Sequence, residues 1–144
     1  METFKDVISG DQLVLVDFFA TWCQPCKMMH PILEQVKEVL GDRIRIIKVD
    51  VDKYGVTANQ YGIQSVPTLM LFRHGEVLWR TSGVVQRAEL LATINFVFLL
   101  LARHSQASLP LLLLRASVGR FLRHMVPAMQ DDAPHLGAGE DSAG

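Results

Sequence analysis

Two β-rich apolar runs joined by one long helical pattern constrain this chain more than any other feature. "LVLVDFF" (13–19) is apolar without strict alternation, as expected of a strand buried on both faces of a parallel sheet. From Pro25 to Leu40 the residues Met28, Met29, Ile32, Leu33, Val36, Val39 and Leu40 recur at helical spacing, and Gly41 supplies a C-cap. Pro31 lies inside this pattern and predicts a kink. "IRIIKVDV" (44–51) is a second strand. A strand–helix–strand unit of this kind implies a right-handed crossover and a parallel pair.

The remaining elements complete the layer. Residues 2–9 read as a short first helix closed by Gly10, and a polar helical turn covers 54–61. "TLMLF" (68–72) and "EVLWRTS" (76–82) flank His74-Gly75, a hairpin signal, and a last helix starts near Gln86. The expected class is α/β, a mixed four-stranded sheet covered by helices. At 144 residues, half of them apolar, the chain suits one globular domain with a real core. A net charge of −1 gives no electrostatic case for nucleic acid, and none is expected as a partner. Glu2, Lys5, Asp6 and Asp11 interrupt the N-terminus, which lacks the basic-then-apolar run of a secretory signal. A cytoplasmic location is therefore expected, where thiols stay reduced and a permanent structural disulfide is disfavoured.

Both cysteines lie in "FFATWCQPCKMMHP", three positions apart. They can be a redox couple, half of a metal clip, or two buried small residues. Cys23 falls where strand gives way to helix, with Pro25 suited to the first turn. A thiolate there faces unsatisfied N–H groups and the positive end of the helix, which lowers its pKa. Cys26, one turn on, is close enough to close a disulfide and lies deeper, so it keeps its proton longer. Cys23 would then attack a substrate disulfide and Cys26 would displace the reduced product. Structural zinc takes four Cys or His ligands. Here there are two thiols, with His30 at i+4 from Cys26 and no fourth ligand, so no metal is expected.

Two neighbours bear on the pair. Asp17 sits inside the first strand, where burial of its charged form raises its pKa. Read alone, it is equally a carboxylate satisfied by Lys48 on the adjacent strand or a proton acceptor for Cys26. A thiol pair beginning six residues later favours the second. Pro67 stands at the start of the strand in "SVPTLMLF" and can be trans or cis.

Taken together, "VDFFATWCQPCKMMHPIL", "KVDVD", "YGIQSVPTLMLFRHGE" and Gly83 resemble the thioredoxin family in order and spacing, over about residues 1–98. The resemblance implies a thioredoxin fold and a protein-disulfide reductase. Cys23 would be its nucleophile, Cys26 its resolving cysteine, and Asp17 its buried acid–base group, tuned by Lys48. It implies a cis Pro67 beside the disulfide, with the Val66 backbone pairing with an extended substrate. Trp22, Gln24, Pro25, Val66, Pro67 and Gly83 would form the substrate-binding surface. No bound cofactor is implied. Electrons would come from NADPH through a separate thioredoxin reductase, the substrates would be disulfide-containing proteins, and the chain would be a monomer. A different class of function is a thioredoxin-fold binding or tethered module, in which the docking surface matters and the thiols are incidental.

Three residues or segments depart from the family. Gln24 replaces the usual glycine between the cysteines. Pro25 is retained and the histidine of oxidising relatives is absent, so a reductant near the roughly −270 mV of thioredoxin itself is expected. Phe19 replaces a tryptophan. Met1 falls at the first helix, so four strands are expected rather than five, without the N-terminal edge strand with which the family often begins.

The family does not account for the C-terminal third. After about Leu99 the chain has no lysine, no isoleucine and no acid before Asp131. Residues 99–128 read as a leucine-rich, Arg-containing helical extension, and 129–144 as a disordered tail. Leu111, Leu114, Val118, Phe121, Leu122 and Met125 share one helical face, with Arg115, Arg120 and Arg123 around it. Such a face fits a membrane surface or a partner groove. Loose packing, incomplete folding, or an end that is not a selected sequence fit as well. Membrane contact by 99–126 is the weaker reading, since periodicity over one short stretch is weak evidence, and the apolar run 96–102 is too short to span a bilayer.

Overall fold

The computed structural model describes residues 1–107, with side chains to 103. Thr3 opens helix α1 (Phe4–Ile8) through a reciprocal cap with Asp6. Strand β1 (Leu13–Phe19) leads into helix α2 (Gln24–Leu40), which runs on through Pro31 as one helix. Gly41 ends it at a φ of 57°, a left-handed conformation suited to glycine, and a 3-10 turn (Gly41–Arg43) follows. Then come β2 (Ile44–Asp50), α3 (Gly55–Gln60), β3 (Thr68–Arg73), β4 (Glu76–Ser82) and α4 (Arg87–Ala107). His74 and Gly75, both at positive φ, turn the β3–β4 hairpin as their sequence predicts.

The described strands form one mixed sheet in the order β2-β1-β3-β4. β1 pairs parallel with β2, while β1–β3 and β3–β4 are antiparallel. β1 is thus central, and it is buried along both faces from Leu13 to Phe18. Alternation sorts its side chains. Leu13 and Leu15 join Met29, Leu33 and Val36 of α2 and Leu90, Ile94 and Val97 of α4 in one core. Val14, Val16 and Phe18 join Ile8, Met70 and Phe72 in the other, on the α1 side. Asp17 and Phe19 have the parity of Leu13 and Leu15, so they belong to the face under α2. That parity positions the site.

The expected boundary at 98 falls inside α4, which continues unbroken to Ala107. Its apolar residues explain why. Leu101 is 8% exposed and packs into the core beside Val97, and the Arg43 guanidinium lies 4.5 Å over the Phe98 ring. The compositional change at Leu99 therefore does not coincide with a change in structure. Leu101→Ala is expected to cost about 2 kcal/mol, the low end for truncating a buried leucine, read by urea unfolding. No described helix is long and apolar enough to cross a membrane. The expected amphipathic face of 111–125 and the tail 129–144 lie outside the described residues.

Candidate active site

At the C-terminal end of β1 the chain turns through Ala20–Trp22 and enters α2, and this junction carries both cysteines. Cys23 is the N-cap of α2, and its Sγ accepts the Cys26 backbone N–H at 3.1 Å. An N-cap acceptor satisfies one of the unpaired N–H groups that begin every helix. When the thiol is free, the same donor and the helix end favour its thiolate. Here the two cysteines are joined as a disulfide, with Cα atoms 5.3 Å apart. Both are enclosed, Cys26 more deeply at 1% exposure against 4% for Cys23. Ala20, Phe19, Val51 and Val66 pack around them.

Opposite the disulfide lies the start of β3. The Val66–Pro67 peptide is cis, the isomer that the resemblance implied and the sequence alone left open. The Val66 carbonyl oxygen is 3.6 Å from Cys23 Sγ. Gly83, at a φ of 91°, donates its N–H to the Pro67 carbonyl at 2.8 Å, which ties the end of β4 to the cis bond. A residue with a side chain would be strained at that φ. Trp22 is 70% exposed, and Gln24 and Pro25 are exposed beside it. Trp22, Gln24, Pro25, Val66, Pro67 and Gly83 therefore come from three segments of the chain to the same end of the sheet as Cys23.

Asp17 lies on β1 six residues before Cys23, on the face under α2, and is wholly buried. Burial lifts its carboxyl from an ordinary value of 3.8 to about 6, and the Lys48 charge opposes that shift. Lys48 is the register partner of Asp17 on β2. The structure corrects one reading of this residue, however. Lys48 is exposed, and among the described residues neither Asp17 oxygen has a hydrogen-bond or ion-pair partner. Lys48 acts on Asp17 through its field and does not satisfy it by contact. A buried carboxyl near pH 6 can take a proton from a thiol and give it up again at neutral pH.

Sequence patterns missed two contributors. Asp52 Oδ2 accepts the Trp22 Nε1–H at 3.0 Å and fixes the exposed indole. The motif "KVDVD" marked Asp52, but nothing local pairs it with a residue thirty positions away. Met29 Sδ accepts the buried Val85 N–H at 3.3 Å, linking α2 to the loop that presents Gly83. Among the described residues no three His, Cys, Asp or Glu side chains gather as a metal site requires.

Comparison with known proteins is consistent with this geometry. A model of the Thioredoxin family matches residues 1–96. A thioredoxin-like protein of Synechocystis sp. is 52% identical over 93 residues, 64% of this chain and 89% of that protein. A thioredoxin of Rickettsia typhi is 40% identical over 94 residues, 65% of this chain and 90% of that protein. Among solved structures, thioredoxin-2, described as a component of malaria parasite protein secretion machinery, is 32% identical. It aligns with a TM-score of 0.57 over 58% of this chain and 82% of that one.

Proposed function

This chain belongs to the thioredoxin family and is a protein disulfide oxidoreductase, and we propose that it works as a general reductant of protein disulfides. The observation that carries this reading is the Cys23–Cys26 disulfide at the start of α2, with Cys23 beside the Val66 carbonyl and the cis Pro67.

In the proposed cycle an extended substrate segment pairs with the Val66 backbone and packs on Trp22, Gln24, Pro25, Pro67 and Gly83. The Cys23 thiolate attacks one substrate sulfur. A Cys23–substrate disulfide forms, and the second substrate sulfur leaves with the electron pair of the broken bond. Asp17 then accepts the Cys26 proton, and the Cys26 sulfur attacks Cys23 Sγ. The Cys23–Cys26 bond forms and the first substrate sulfur departs as a thiolate. Lys48 tempers the basicity of Asp17 across the strand pair. Two electrons from NADPH, delivered by a separate thioredoxin reductase, return the pair to dithiol, so the chain itself holds no cofactor. Such a reductant works as a monomer in a compartment whose thiols are kept reduced, the cytoplasm in the first instance.

The test is catalytic reduction of a protein with interchain disulfides, using substoichiometric chain and excess dithiothreitol. Many turnovers per chain are expected. Stoichiometric reduction alone would overturn the reading in favour of a binding module whose thiols are incidental.

A further inference from the structure

Among the described residues, only three buried side-chain nitrogen or oxygen atoms lack a hydrogen-bond partner: Oδ1 and Oδ2 of Asp17, and Nε2 of His30. Most buried polar groups in folded proteins are paired, so each exception needs a reason. These three share one region. His30 lies on α2 one turn beyond Cys26. Its ring meets Phe19 edge-on, with centroids 5.8 Å apart at 81°. Phe19 in turn lies two residues after Asp17 on the same side of β1. The charge of Lys48, the β2 partner of Asp17, acts on both Asp17 and His30. Glu34, one turn further along α2, is the other charge that acts on His30.

A buried acid that takes the Cys26 proton has to pass it outward, and the apolar groups around the disulfide offer no acceptor. His30 can bridge that gap. Its Nε2 is enclosed, while the residue as a whole is only half-buried and reaches solvent. We infer that His30 is the proton outlet of the site. As Cys26 gives its proton to Asp17, Asp17 passes one to His30 Nε2, directly or through one water, and His30 releases one to solvent. Only O–H and N–H bonds change in this relay, and no electrons move. The inference rests on Asp17 as proton acceptor. His30 acts through Asp17, so it is a positioning residue for proton flow and touches no reacting sulfur.

Electrostatics favours the transfer. Burial and Lys48 push the imidazole pKa down, against Glu34, while burial pushes the Asp17 carboxyl up. The two groups are brought toward each other, which is the condition for easy proton exchange.

The resolving step can be isolated. Reduced protein attacks 5,5′-dithiobis(2-nitrobenzoate) through Cys23, which forms the mixed disulfide and expels one coloured thiolate, and release of the second coloured thiolate reports attack by Cys26 on Cys23. His30→Ala is expected to slow this release about tenfold at pH 7, short of the ~10²–10⁴ a direct general base supplies, and added imidazole is expected to restore it. If the alanine variant fails to fold, His30→Gln is measured and is expected to be equally slow. Slow release that imidazole leaves unchanged would mark a structural loss and overturn the inference. So would parental rates in His30→Ala while Asp17→Asn is slow, or further slowing when His30→Ala is added to Asp17→Asn. A parental rate in Asp17→Asn itself would instead remove the Asp17 reading, and the outlet with it.

Discussion

The Asp17→Asn variant is expected to be more stable than the parent protein at pH 7 and to turn over about a hundredfold more slowly, the low end for loss of a general base. The stability effect follows from linkage. The folded-state pKa of Asp17 is raised, from 3.8 to about 6, so the folded protein binds this proton more tightly than the unfolded chain. The parental stability therefore falls as pH rises from about 4 to about 6, and the full penalty persists above that. At about 1.4 kcal/mol per pKa unit the penalty is about 3 kcal/mol at neutral pH. Asparagine removes the charge but leaves a buried amide without a partner, so a gain of about 2 kcal/mol is expected. Urea unfolding at several pH values checks this. A parental stability that is flat between pH 4 and 6, or an Asn variant that is less stable at pH 7, would contradict the buried, unpartnered carboxylate.

The cysteines should separate just as sharply. Cys23→Ser is expected to lose turnover altogether, because serine at the helix N-cap keeps the hydrogen bond to the Cys26 N–H but supplies no thiolate. Cys26→Ser is expected to attack substrate once and stop, leaving a mixed disulfide on Cys23 that mass spectrometry detects. The asymmetry comes from the fold. Cys23 caps the helix and faces Val66, whereas Cys26 is held one turn inside at 1% exposure. Trapping on Cys26 in a Cys23→Ser protein would reverse these roles.

Much of this site is legible in the residues because it is built from local signals. The unalternating apolar run 13–19 predicts a doubly buried strand, and Leu13–Phe18 are buried on both faces. Pro25 and Gly41 bracket α2 to within a residue of its observed ends. His74-Gly75 marks the hairpin because its φ values require it. What the sequence hid depends on contacts made at a distance. The Trp22–Asp52 and Met29–Val85 hydrogen bonds join segments that no periodicity relates. Asp17 and Lys48 are register partners, yet strand pairing alone does not say whether two side chains bond, and these make neither a hydrogen bond nor an ion pair. The run of leucine and phenylalanine after residue 96 suggests a new segment by composition. Leu101 instead extends the apolar stripe of α4 across the same core, so the helix continues. By spacing His30 is a third metal ligand at most, and neither its enclosed Nε2 nor its edge-on contact with Phe19, two residues after Asp17, can be read from the sequence.

Reductant action is the central claim, and the equilibrium potential of the Cys23–Cys26 couple tests it most directly. Gln24 is exposed, neutral and at the first position of α2, so it adds no charge to stabilise the Cys23 thiolate beyond what the helix end provides. Equilibration with defined glutathione or NADPH-coupled buffers should give a value near thioredoxin's own potential of about −270 mV. A value at or above the roughly −180 mV of protein disulfide isomerase would contradict a reductant and make this chain an oxidant or isomerase.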